Sequence, residues 1–131
     1  MTKAYNNPVY TTFTYEQHDF GAGGDTKEIV GPNGFRGQIV DILLSDVTEG
    51  FTNNTAEGAI QAGVSGAADK FANFGLGTTA AGTGDAASRN TGDLKGGVLA
   101  DDETLLVTFV APNGGTPAGI ADVQVIVAWH S

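Results

Sequence analysis

The last 24 residues of the chain, TFVAPNGGTPAGIADVQVIVAWHS from Thr108 to Ser131, decide the fold that we expect. From Ile120 to Trp129, β-branched and aromatic residues recur with a period of two, which is typical of a β-strand. Both faces of this strand are apolar, so we expect it in the centre of a sheet that a second layer covers. The intervening APNGGTPAG favours a reversal of the chain, which predicts a hairpin with a strand from Thr104 to Val110.

Three segments nearer the amino terminus also carry strand patterns. Val9 to Tyr15 reads VYTTFTY, in which β-branched and aromatic side chains fall on both faces. A short strand is expected in TKEIV, from Thr26 to Val30, and a longer one in FRGQIVDILLSDV, from Phe35 to Val47. Apolar residues on both faces of the longer strand indicate that it is buried between two layers.

The segment from Ala56 to Phe74 is ambiguous, because its apolar residues nearly follow a helical spacing. Its three internal glycines would together cost a helix about 3 kcal/mol relative to alanine, so strands are favoured. We predict strands from Gly58 to Val64 and from Lys70 to Leu76, separated by a loop at residues 67–69 with room for one helical turn. Gly77 to Gly97 is small, polar and rich in glycine, which predicts a long surface loop.

About eight short strands, with turn signals at intervals of about 8 to 12 residues, predict a single all-β domain built as a two-sheet sandwich or a barrel. We assign residues 9–131 to this domain. A chain of 131 residues is long enough to bury a core. Residues 1–8 are interpreted as an amino-terminal arm. Asn6 and Asn7 favour a turn there, and Pro8 cannot donate a backbone hydrogen bond.

The charge balance and composition exclude several classes of partner. The chain has 6 Lys and Arg residues against 15 Asp and Glu residues, and its formal net charge is −9. Its basic residues are scattered singly, so nucleic acid is not an expected partner. No apolar run approaches the roughly 20 residues that cross a bilayer, and no secretory signal is recognised, so no membrane partner is expected. Without cysteine the chain has no disulfide or thiolate metal site, and we expect synthesis in a reducing cytoplasm.

The motifs do not predict a catalytic or metal site. His18 lies in EQHD, but neighbours along a strand point to opposite faces and do not converge on a metal; a solvated edge is the favoured interpretation. GTGDAAS, from Gly82 to Ser88, lacks the carboxylate spacing of a calcium loop. Asp101, Asp102 and Glu103 are interpreted as a solvated cluster that protects a sheet edge. We therefore predict no enzymatic activity, no cofactor and no bound metal.

Three stretches of the chain are similar to one family of viral proteins. They are FRGQIVDILLSDVTEGFTNNT, AIQAGVSGAADKFANFGLGTTAAG and LADDETLLVTFVAPNGGTPAGIADVQVIVAWHS, and they lie within roughly residues 35–131. These stretches resemble the small jelly-roll cement, or decoration, proteins of tailed bacteriophages, and the TFVAPNGGTPAG turn followed by ADVQVIVAW carries most of the likeness. The resemblance implies a jelly-roll-like β-sandwich with long glycine-rich loops. It also implies a homodimer or homotrimer bound to the major capsid protein on the outer surface of the virion.

Under this interpretation the protein is a structural virion protein that stabilises contacts between major capsid subunits. Its acidic composition suits the outside of a capsid. Because interface anchors are typically aromatic, the candidate contact residues are Tyr5, Pro8, Tyr10 and Phe51. The alternative is a carbohydrate- or receptor-binding module of a phage fibre or tail. That module would need exposed aromatic platforms, whereas Trp129 is expected to be buried. A cupin-type enzyme would need clustered histidines, and the two in this chain are far apart in sequence.

Overall fold

The structure, a computed structural model, describes residues 8–88 and 92–131. The described residues form the strands β1 (Val9–Asp19), β2 (Asp25–Ile29), β3 (Arg36–Glu49), β4 (Ala59–Val64), β5 (Ala67–Gly75), β6 (Asp85–Ala87), β7 (Leu105–Val110) and β8 (Ile120–His130). A 3-10 turn at Phe20–Ala22 follows β1, and no helix within the described residues exceeds one turn. The all-β prediction is therefore confirmed.

The strands form two antiparallel sheets of four strands each. The first sheet has the order β1-β8-β3-β6 and the second has the order β2-β7-β4-β5. Each connection between successive strands crosses from one sheet to the other, except that β4 and β5 are neighbours in the second sheet. Two four-stranded sheets connected in this way form a jelly roll, as the resemblance implied.

The hairpin predicted for the end of the chain is wrong. β7 belongs to the second sheet and β8 to the first, so residues 111–119 form an arch between the sheets. The backbone N–H of Asn113 donates to the carbonyl oxygen of Ala56 at 2.9 Å, which holds the arch against the loop before β4. Prolines and glycines indicate that the chain turns, but they do not specify which strand becomes the next neighbour.

β8 is a central strand, as its two apolar faces indicated. β1 pairs with it on one side and β3 on the other, so that Val127 lies opposite both Thr11 and Ile39. The inward side chains of β8 are buried, and they are Val123, Val125, Val127 and Trp129. The core between the sheets also contains Phe20, Ile42, Leu44, Ile60, Leu105, Val107 and Phe109. The predicted burial of Trp129 is confirmed.

The ambiguous middle segment forms a β-hairpin. Strands β4 and β5 are joined by a two-residue turn at Ser65 and Gly66. The loop predicted at residues 67–69 is therefore wrong, because Gly66 has a φ of 83° and reverses the chain before that point. A bulge at Gly63, where a side chain would collide with the backbone of Ala67, lets the two strands approach closely.

Part of the surface loop predicted from Gly77 to Gly97 is a short strand whose last residue is buried. Residues 85–87 form β6, which pairs with β3. Directly after β6, Ser88 Oγ donates to Asp41 Oδ1 at 3.1 Å, and both side chains are buried. The prediction failed because it considered only apolar burial, whereas a buried polar pair holds this segment to β3.

Candidate functional site

The sandwich has two ends, and we name each by an aromatic residue that is buried near it. The Trp129 end contains the starts of β1 and β3, because Trp129 lies opposite both Val9 and Gly37. The Phe51 end contains the opposite loops, including the arch at residues 111–119. The described chain begins at the Trp129 end, and residues 1–7 of the predicted arm lie outside the described residues.

The structure separates the four residues that the sequence suggested for an interface. Tyr5 lies outside the described residues. Pro8 and Tyr10 lie together at the Trp129 end, where the Tyr10 side chain is 63% exposed. Phe51 lies at the other end and is only 4% exposed, packed among the aromatic residues of the core. The expectation that Phe51 offers its ring to a partner is therefore corrected, and we assign this residue to the core.

Exposed apolar side chains gather at the Trp129 end. Among the described residues, the large hydrophobic side chains that remain exposed are Val9 (55%), Tyr10 (63%), Val30 (77%) and Val98 (49%). Val30 is next to Gly31, whose backbone lies against the Trp129 ring, and Val98 is next to Leu99, which pairs with the start of β3. We call these four residues the apolar end. Exposed hydrophobic residues that gather on one part of a surface indicate an interaction site.

Sequence reasoning identified Tyr10 but missed Val30 and Val98. The predicted strand Thr26–Val30 includes Val30, but β2 ends at Ile29 and leaves Val30 outside the strand beside Gly31. Val98 follows Gly97 outside any strand, so no periodic neighbours place it on a surface or in the core. The available signal was a bulky β-branched residue directly beside a glycine in a turn region. Such a residue has no strand face on which to be buried.

His18 belongs to an aromatic cluster on the side of the sandwich where β1 lies above β2. Its ring centroid is 4.7 Å from that of Phe20 and 4.6 Å from that of Phe109. Its Nε2 atom is buried without a hydrogen-bond partner, and burial is the main cause that lowers the pKa of His18. The interpretation of His18 as a solvated edge residue is therefore corrected in part: β1 is an edge strand, but the His18 ring is half-buried in this cluster. Within the described part of the chain, no three His, Cys, Asp or Glu side chains form a group that could hold a metal ion.

A polar network crosses the first sheet close to this cluster. Gln17 Nε2 donates to Asp122 Oδ1 at 2.8 Å and to the carbonyl oxygen of Asp46 at 3.0 Å, which joins β1, β8 and β3. Thr48 Oγ1 donates to Gln17 Oε1 at 2.7 Å. The hydrogen bond from the Gln17 side chain is the main cause that lowers the pKa of Asp122. These polar groups bind one another, so the network joins three strands and is not an open ligand site.

A groove of about 490 Å³ crosses the second sheet. Its lining includes the carboxylates of Glu57 and Asp93 and the amides of Gln61 and Asn73. Gln61 and Asn73 are direct partners in β4 and β5, so their side chains extend on the same face. Amide and carboxylate groups bind hydroxyl groups well, but the lining of this groove contains no aromatic ring on which a sugar could stack.

Comparisons of the chain with protein-family models, with curated proteins and with solved structures found no match. Among the described residues, no helix is both long and apolar enough to cross a membrane. The function is therefore inferred from the fold, the charge and the surfaces described above.

Proposed function

We propose that this protein is a structural virion protein that decorates the outer surface of a tailed-bacteriophage head and stabilises contacts between major capsid subunits. The observation that carries this proposal is the apolar end, because it exposes hydrophobic side chains on a chain with a net charge of −9. The jelly-roll fold and the resemblance of residues 35–131 to cement proteins support the same function. The protein is then made in the host cytoplasm and located on the virion exterior.

The apolar end supplies the attraction to the capsid. Each Å² of apolar surface removed from water contributes about 25 cal/mol, so one small contact gives only modest affinity. An oligomer engages several capsid subunits at once, and its release then requires all contacts to open together. Because the oligomer binds the assembled shell in preference to separated subunits, it shifts the equilibrium towards the intact shell.

The test is sedimentation of the purified protein with shells of the major capsid protein encoded in the same genome, in their unexpanded and expanded forms. We expect the protein to sediment with expanded shells and to raise the temperature at which those shells disassemble. Protein that stays in the supernatant with both forms, and leaves the disassembly temperature unchanged, would contradict the proposal.

Two matched variants locate the contact. Val30→Asp adds a negative charge to the apolar end, whereas Ala80→Asp adds the same charge to an exposed residue at the Phe51 end. We expect Val30→Asp to weaken shell binding at least tenfold, because the new carboxylate must be desolvated on binding. Ala80→Asp should bind as the wild type does. Equal binding by both variants would show that the apolar end is not the contact.

The groove on the second sheet favours one second candidate, a carbohydrate- or receptor-binding module of a phage fibre or tail. The paired amides of Gln61 and Asn73 are suited to hydrogen bond the hydroxyl groups of a glycan. A glycan array probed with the wild type and with Asn73→Ala tests this function. Glycan binding that is lost in Asn73→Ala, together with a failure to bind shells, would favour the module over the decoration protein.

A further inference from the structure

We propose that two copies of this chain associate through β1 and form one continuous antiparallel sheet across a twofold axis. The pairing segment is Val9 to Tyr15, and Thr12 lies at the axis, opposite its own copy. The inference does not depend on capsid binding, because it follows from an unprotected edge of the first sheet.

The outer side of β1 offers unpaired backbone groups. Val9 to Tyr15 pairs residue by residue with β8 on one side. Among the described residues, no backbone hydrogen bond joins this segment to anything other than β8. The free N–H and C=O groups of an edge strand form a template on which another strand can pair.

The side chains of this segment favour such pairing. VYTTFTY contains no charged residue, proline or glycine, and its β-branched and aromatic side chains have high strand propensity. Pro8, which has no N–H, marks its start, and a bulge between Tyr15 and His18 marks its end. The boundaries define one regular segment of edge strand.

The other three edge strands are protected. β2 is short and carries three charged residues in DTKEI. β6 has only three residues. β5 is covered by the segment at residues 93–95, in which the Lys95 N–H donates to the carbonyl oxygen of Phe71 at 2.8 Å. Short length, charge and a covering segment each prevent pairing with a second chain, and the β1 segment has none of them.

A second copy of the same segment is the partner that fits this edge. Antiparallel pairing centred on Thr12 places Tyr10 opposite Thr14 of the partner subunit and Thr11 opposite Phe13 of the partner subunit. Aromatic and β-branched pairs of this kind stabilise antiparallel strands. Each chain has a net charge of −9, so two copies repel one another in general. Pairing through an uncharged segment brings no two carboxylates into register.

Partly buried aromatic side chains lie beside this edge. Phe13 and Tyr15 pack against the core but are not fully buried. The Tyr15 ring lies edge-on to Phe109, with centroids 5.5 Å apart, and Lys27 Nζ lies 5.9 Å from the Tyr15 centroid. A second copy of β1 covers the remaining exposed parts of Phe13 and Tyr15, which adds apolar burial to the backbone hydrogen bonds.

The twofold axis turns the two Trp129 ends in opposite directions along β1. Val30 and Val98 lie outside the paired segment, but Thr12 is three residues from the start of β1 and seven from its end, so the two Trp129 ends lie nearer the axis than the two Phe51 ends do. If the proposed function holds, one dimer can bridge two neighbouring capsid subunits with two separate contacts.

The first test compares molecular masses in solution by sedimentation equilibrium. We expect the wild type at twice the chain mass of 13.3 kDa. Thr12→Lys and Thr12→Glu should each be monomeric, because like charges meet at the axis, whereas an equimolar mixture should restore the dimer. Thr78→Lys, the same substitution at an exposed loop residue, should remain dimeric.

The second test uses the absence of native cysteine. Directly opposite residues in antiparallel strands have Cα atoms roughly 4.5–5.5 Å apart, which is within the range of a disulfide. Thr12→Cys should therefore form a disulfide-linked dimer on mild oxidation, and Thr78→Cys should not. Amide exchange of the wild type tests the edge without any substitution, and exchange within residues 9–15 should slow as protein concentration rises.

The outcomes that overturn the proposal are distinct from those that overturn the capsid function. A monomeric or trimeric wild type, a dimer that persists in both Thr12 variants, or equal cross-linking at residues 12 and 78 would each refute pairing through β1. Protection of residues 9–15 that appears only on shells would make the capsid, and not a second copy, the partner of this edge. A dimer that fails to bind shells would leave the β1 pairing intact and refute only the proposed function.

Discussion

At the scale of single residues, His18 shows how burial disfavours the protonated form of a histidine side chain. Its ring lies between Phe20 and Phe109, and a charged imidazolium there loses hydration without gaining a hydrogen bond at Nε2. Asp25 favours the charged form and Lys27 opposes it, but burial is the largest effect and lowers the pKa of His18 below its ordinary value of 6.5. The residue therefore acts as an aromatic packing group near neutral pH.

This lowered pKa predicts a pH-dependent stability. The unfolded chain binds a proton as the pH falls through 6.5, whereas the folded chain resists protonation until the pH is lower. The contribution of His18 to stability is therefore complete above 6.5 and is lost as the pH falls through the folded-state pKa. Urea unfolding at a series of pH values should show a decline from about pH 6.5 downwards. The decline should be smaller in His18→Phe, and identical slopes in the two proteins would contradict this account.

At the scale of secondary-structure elements, the pair formed by Asp41 and Ser88 holds β6 to β3. Ser88 Oγ donates to Asp41 Oδ1 at 3.1 Å, and the Ile42 N–H donates to both side chains. Ser88→Ala removes one partner of a buried carboxylate, so we expect a loss of about 1–3 kcal/mol in the free energy of unfolding. Ser65→Ala, in the exposed β4–β5 turn, should change it by less than about 0.5 kcal/mol. Chemical denaturation measures the free energy of unfolding of both variants, and equal losses in the two would refute the anchoring role of Ser88.

The pairing of strands is a feature of this fold that the sequence patterns do not predict. Alternation identified β1, β3, β7 and β8, because side-chain periodicity is a local property of a strand. The partners of those strands are set by packing across the whole domain, so β7 and β8 were wrongly paired. Gly66 and Ser88 act through a backbone angle and a buried hydrogen bond, and neither appears in a hydrophobic pattern. At the candidate site, Tyr10 followed from its aromatic type, whereas exposure of Val30 depends on how the turn beside Trp129 folds.

At the scale of the whole molecule, the distribution of charge relative to the fold connects the two proposals. The net charge of −9 belongs to the chain as a whole, whereas Val9–Tyr15 contains no charged residue and the apolar end consists of Val9, Tyr10, Val30 and Val98. An acidic surface keeps copies apart at most contacts. Electrostatic repulsion therefore opposes association least at the uncharged edge of β1 and at the apolar end.

This distribution predicts how association of two copies depends on salt. At about 0.01 M ionic strength the Debye length is about 30 Å, so the negative charges of two copies repel across the whole dimer. At about 0.1 M the Debye length is about 10 Å, and most of this repulsion is screened. The hydrogen bonds and apolar contacts of β1 involve no charged side chain and are not weakened by the same change. We therefore expect the dissociation constant of the dimer to fall several-fold between these two salt concentrations, as measured by sedimentation equilibrium.

Thr78→Lys, which reduces the net negative charge away from the interface, should show a smaller salt effect than the wild type. A dissociation constant that rises with salt would mean that ion pairs hold the copies together, and pairing through the uncharged segment would then be refuted.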